Sequence, residues 1–151
     1  MLSCLTLDLS DCRAIAAAAH AEADASRAAV SVAIVDAGGH PLLLERRDGA
    51  SPASAAAALA KARMAALNGK PTASMEAAIN GERPALLQLA AALGQPAVAM
   101  AGGLPLLVAG QCLGGLGISG MTPDLDGRIA EAAQAAFAGL PAATSSHSVR
   151  S

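Results

Sequence analysis

Aromatic residues are almost missing from this chain: its 151 residues include no Trp, no Tyr and a single Phe, Phe137. The core must therefore be assembled from Ala, Leu, Val, Ile and Met. Such side chains bury little area each, and apolar burial stabilises by only about 25 cal/mol per Å². An alanine-rich surface of this kind predicts association into a homo-oligomer, a dimer or higher. The absence of stacking rings, together with a net charge of −2, excludes the basic, aromatic footprint of a nucleic-acid binder. Cysteine is scarce and odd in number. Cys4, Cys12 and Cys112 show no CxxC spacing, which argues against a disulfide framework or a zinc site. Charge is absent from residues 84–123, but Pro96, Pro105, Gln88, Gln95 and Gln111 interrupt that stretch. No run of about 20 apolar residues forms, as a membrane-spanning helix needs. The start, MLSCLTLDLSD, has no basic region and soon reaches Asp8, which predicts no secretory leader and a cytoplasmic chain.

What the chain does contain is periodic. After an extended start at Leu5–Leu7, Ser10 is an expected N-cap for a helix over 11–27. Its apolar face carries Cys12, Ile15, Ala16, Ala19 and Ala23, and its polar stripe Arg13, His20, Asp24 and Arg27. VSVAIVD at 30–36 is β-branched and short, as strands are. Gly38-Gly39 fits a hairpin turn, with a return strand over 40–45. Ser51-Pro52 places an N-cap before Pro at the first helical position, opening a helix that stops near Asn68-Gly69. Further helices are expected over 73–79 and 84–93, then strands over 98–100, 104–108 and 112–119. The glycines of the last strands indicate bulges or close backbone approach. Thr122-Pro123 opens a final helix to about Ala138. Residues 140–151 are small and polar and are expected to be a disordered tail, leaving one domain over 1–139. Short hairpin links imply an antiparallel sheet, so the fold class is α+β, with about five strands flanked by helices.

The densest chemistry lies in VAIVDAGGHPLLLERRDGA at 32–50. The hairpin delivers Glu45, Arg46, Arg47 and Asp48 to one end of the sheet, beside the helix opened by Ser51. Free N–H groups at a helix start attract anions, and adjacent arginines strengthen that field. Lys61 stands on the same helix in a stripe of small residues with Ser54, Ala58 and Ala65. Arg46, Arg47 and Lys61 are thus candidates for a cationic corner that receives carboxylates. Asp36 is placed to cap the Gly38-Gly39 turn, and Asp124 and Asp126 fit the dipole of the last helix.

VAIVDAGGHPLLLERRDGA, ALAKARMAAL, GGLPLLVAGQCLGGLGISG and TPDLDGRIAEAA follow one another in an order that resembles the GlcG/HbpS family, the haem-degrading domain also joined to some corrinoid adenosyltransferases. The resemblance spans residues 5–138. It implies a profilin-like antiparallel sheet flanked by helices, assembly into oligomers, and haem binding, with haem breakdown in some members. Lys61, Asp48 and Arg46 match the family's Lys, Asp-Gly and Arg positions, whereas Arg47 and Met64 replace residues that many relatives carry.

Three functions follow as expectations. The first is haem binding, and with it haem degradation, in which His20 is the iron-ligand candidate, since Tyr is absent and His147 lies in the polar tail. The second is a lyase-, isomerase- or tautomerase-like enzyme for a compact organic acid. Its catalytic candidates are Lys61, Asp48 and Asp36, and its binding candidates Arg46, Arg47, Ser51 and the backbone at Gly102 and Gly103. No GxSxG, HExxH or CxxC motif supports a specific chemistry for it. The third is a non-catalytic oligomeric ligand-binding module.

Overall fold

The computed structural model describes residues 4–141, so His147 and the tail beyond Pro141 lie outside the described residues. Helix α1 spans Leu9–Ala25 and is opened by Asp8 rather than Ser10. Asp8 and Asp11 explain the shift, because each accepts the other's backbone N–H in a reciprocal capping box. Strands β1 (Ser31–Asp36) and β2 (Pro41–Arg46) form the hairpin. Helix α2 spans Pro52–Asn68 and ends at Gly69 in the left-handed region, φ 65°. Ser51 stands at its N-cap, but its side chain makes no capping bond. The Ser51 carbonyl instead accepts from Ser54 Oγ at 2.6 Å. Helix α3 covers Thr72–Asn80, and the helix expected over 84–93 divides into a 3₁₀ turn, Pro84–Gln88, and the short α4, Leu89–Ala92. Strands β3 (Gly103–Val108) and β4 (Gln111–Ser119) precede α5, Pro123–Ala138, which Thr122 caps by accepting from Leu125 N.

The four strands form one antiparallel sheet in the order β2-β1-β4-β3. The α+β class is as expected, with four strands where about five were expected. Residues 98–100 do not join the sheet. Val98 N donates to the Ala60 carbonyl of α2, so this segment is laid on a helix instead.

Alternation along the strands sorts the two faces. Val32, Ile34, Leu116 and Ile118 face α1 and α5, forming the main core with Ile15, Ile129 and Phe137. Ala33 and Val35 face α2 and meet Ala58, Ala62 and Ala66. On that side β4 carries Gly115 and Gly117. A Cβ at Gly117 would stand 1.9 Å from the Ala58 carbonyl, and one at Gly115 would stand 2.2 Å from the Ala62 carbonyl. Helix α2 therefore rests its backbone directly on the strand, which only glycine permits. A third, smaller cluster of Met64, Met75 and Ala97 lies beyond α2 under α3 and α4.

Candidate functional site

Charged residues gather in two places. The first is where α1 meets the edge strand β2. Positions 20 and 24 lie one turn apart on a single helix face. Glu45 pairs in register with Val32, which faces α1, so Glu45 points the same way. His20 Nε2 and Glu45 Oε2 are 2.6 Å apart. Arg47 donates to Asp24 Oδ1 and, at 3.4 Å, to the His20 carbonyl. In the neutral imidazole this arrangement puts the proton on Nε2, facing the carboxylate. Nδ1 is then left with its lone pair, buried and without a hydrogen-bond partner among the described residues. Unsatisfied buried nitrogens are uncommon and need an explanation. An imidazole held by a carboxylate through one nitrogen, with the other unengaged, is the arrangement that metal-ligating histidines adopt.

The second gathering surrounds Lys61. Its Nζ donates to the Ile118 carbonyl at 2.9 Å and to Asp126 Oδ2 at 3.1 Å. Asp126 Oδ1 accepts from Met121 N at 3.0 Å. The two side chains are only 4% and 3% exposed. Gly102, at φ 110°, lets the chain pass this pair: a Cβ there would stand 2.6 Å from the Ile118 carbonyl and 3.1 Å from Nζ. Gly103 is similarly confined, donating to Thr72 Oγ1 at 2.8 Å. Both glycines serve close packing around the ion pair. Asp126 thus does more than answer a helix dipole: it is the counter-ion of Lys61.

The remaining candidates separate. Asp36 closes the β1–β2 turn, its Oδ1 accepting from Gly38 N at 2.8 Å and His40 N at 2.9 Å. Burial acts to raise its pKa, but the His40 and Gly38 N–H groups and the His40 ring outweigh it and hold the carboxyl below its usual 3.8. Arg63 Nε and Gln95 Nε2 brace the same turn through the carbonyls of Gly39 and Gly38. Arg46, Asp48 and Ser51 are exposed. Arg47 and Lys61, expected to share one cationic corner, are turned to different partners, Arg47 to Asp24 of α1 and Lys61 to Asp126 of α5. Arg47 is drawn instead to His20. Residues 4–141 contain no cluster of three or more His, Cys, Asp or Glu side chains able to hold a metal ion. No helix among them is long and apolar enough to cross a membrane. Burial, aided by Asp11 and Asp8, pushes the Cys12 thiol up to about 11, so it is not a ready thiolate.

Residues 7–135 match the model of a family described as haem degrading protein HbpS-like. The chain belongs to the HbpS-like family. Protein GlcG of Escherichia coli strain K12 is 38% identical over 106 residues, covering 70% of this chain and 75% of GlcG. The crystal structure of ORFY from Klebsiella pneumoniae superimposes with a TM-score of 0.85 at 30% identity, over 93% of this chain and 97% of that one. A PduOC:heme complex superimposes with a TM-score of 0.78 at 31% identity, over 87% of this chain and 95% of that one. Within this HbpS-like chain, Glu45, Asp24 and Asp126 are the site residues that residue-by-residue inspection passes over. Asp24 had a signal, its one-turn spacing from His20. Glu45 had another, its alternation with Leu44 along β2. Asp126 had none, being 65 residues from Lys61.

Proposed function

We propose that this protein binds haem, with His20 as the iron ligand. The observation that carries the proposal is the His20–Glu45 pair, a half-buried imidazole with one nitrogen on a carboxylate and the other unengaged. Two other described candidates serve less well. His40 is exposed and tied to Asp36, and Cys12 is a buried, protonated thiol. Family membership and the likeness to a haem-bound PduOC support haem binding itself. Bound haem would supply iron-centred redox chemistry, and the family description adds degradation as the step to be tested after binding. This chain's residues hold and orient it. Arg47, beside His20, is the cation for a propionate, and it must exchange Asp24 to serve there.

In the present setting Nε2 is engaged and Nδ1 is covered. What covers Nδ1 would therefore have to move for it to hold the iron, while Glu45 keeps the ring oriented through Nε2. Hemin titrated into the protein is expected to give a shifted Soret band saturating at a fixed stoichiometry. His20→Ala should abolish that band, and Glu45→Ala should weaken binding about tenfold by releasing the ring from its orienting carboxylate. Arg47→Ala should weaken it. An unshifted spectrum at stoichiometric hemin, or full retention of the band in His20→Ala, overturns the assignment.

The acid-handling enzyme centred on Lys61 gains no comparable support. Lys61 spends its hydrogen bonds on Ile118 and Asp126.

A further inference from the structure

The segment that follows α2 is thinly filled. Met64 of α2, Ile79 of α3, Leu87 of the 3₁₀ turn and Met100 stand around a cavity of about 300 Å³. Ala90, Ala97 and Ala99 line it where larger side chains would close it. Leu87 and Met100 are exposed, so the cavity opens to solvent beside them. An apolar cavity of about 150 Å³ is enough to take up benzene, and small-molecule pockets begin near about 300 Å³. On that scale the space suits a compact molecule of about eight to twelve non-hydrogen atoms. The polar part of the lining comes from one helix face: Glu76 and Asn80 lie one turn apart on α3. Glu76 Oε2 accepts from Ala101 N at 3.0 Å, while its Oε1 has no hydrogen bond among the described residues. The ion pairs of residues 4–141 use other acids, and no Lys, Arg or His lines the cavity.

We propose that this cavity binds a compact amine, its apolar body among Met64, Leu87 and Met100 and its ammonium group on Glu76. The sign of the charge follows from desolvation. Glu76 is already half-buried. A guest that fills the cavity strips water from the carboxylate, and an unpaired buried charge is costly. A purely apolar guest leaves that cost uncompensated, and an anion adds repulsion to it. A cation offsets it, because an ammonium group brings donors only and can give a charge-assisted bond to the free Oε1. The Asn80 carbonyl oxygen is the second acceptor. Thioether side chains are flexible and polarizable, so the shape of the apolar body is loosely specified and its charge strictly so. The proposal uses no residue of the His20–Glu45 pair, and it stands or falls independently of haem.

Probes of one shape and different charge give the test: cyclohexylmethylamine, cyclohexylmethanol and cyclohexanecarboxylate, each titrated at neutral pH. Alkyl amines titrate near pH ~10, so the first is a cation there. In protein carrying methyl-labelled methionine, the amine should shift the Met64 and Met100 signals and leave that of Met121, which lies outside the cavity, in place. The alcohol should bind about tenfold more weakly, as loss of a charge-assisted bond implies, and the carboxylate should not bind. Glu76→Gln keeps an acceptor for Ala101 N, and it should bring the amine down to the affinity of the alcohol while leaving the alcohol unchanged. Ala99→Phe fills the cavity and should abolish binding of both, with Ala90→Phe as the same check if the first variant fails to fold. Unmoved Met64 and Met100 signals at millimolar amine overturn the proposal. So do equal affinities for amine and alcohol, an amine affinity unchanged in Glu76→Gln, or binding retained in a folded phenylalanine variant.

Discussion

A single lysine in a stripe of small side chains needs a partner for its charge. The structure answers with a buried ion pair in which each oxygen of Asp126 is used, one by Lys61 and one by Met121 N. Pairs this deep gain little over a well-packed apolar substitute, but removing one partner leaves an uncompensated charge in the interior. Lys61→Met should therefore destabilise the fold by about 3–5 kcal/mol. Lys61→Met combined with Asp126→Leu should cost less than the sum of the two single changes. Urea denaturation of the four proteins checks both statements. A Lys61→Met variant as stable as the wild type would show that the pair does not hold the α2–α5 junction. Half of this feature was legible in the sequence: Lys61 could be singled out locally, whereas its counter-ion is brought in by tertiary contact alone. The same division holds for Arg47, whose charge was plain but whose choice of Asp24 over the α2 corner depends on how α1 lies across β2.

Elements were easier to read than contacts. The Asp36 turn, the Ser-Pro and Thr-Pro helix starts and the Gly69 stop are local signals, and each marks the boundary found in the structure. Residues 98–100 misled because Val-Ala-Met suits a strand, while their backbone bond goes to α2. The glycines of β4 announced close approach without naming what approaches. It is the α2 backbone, at a separation that no Cβ could share. Gly117→Ala must therefore push α2 off the sheet or fail to fold, with an expected loss well above the roughly 1 kcal/mol of an ordinary core adjustment. Gly127, inside α5, is the contrast: a Cβ there meets nothing within 4 Å. Gly127→Ala should stabilise by about 0.5–1 kcal/mol through helix propensity. Thermal melts of the two variants should move in opposite directions. A Gly117→Ala protein with an unchanged melt would mean that α2 does not rest on β4 as described.

At the scale of the whole molecule, the interior is uneven, and the unevenness separates the site from the rest. The sheet, α1, α2 and α5 share the two cores that contain nearly all the fully buried side chains. Residues 76–101 are anchored mainly by three buried residues, Met64, Met75 and Ala97, with a cavity of about 300 Å³ beside them. Segments with few buried contacts open locally at a lower free energy than the global transition. Amides of 76–101 should accordingly exchange with deuterium faster than those of β1, β4 and α2. The His20–Glu45 pair sits across the sheet from this segment, on α1 and β2. Because a ligand protects the elements it contacts, hemin should slow exchange at 17–24 and 43–47 and leave 84–101 unchanged. Protection concentrated at 84–101 instead would relocate the ligand to the methionine-lined cavity, and His20 would then have to be explained as a purely structural histidine.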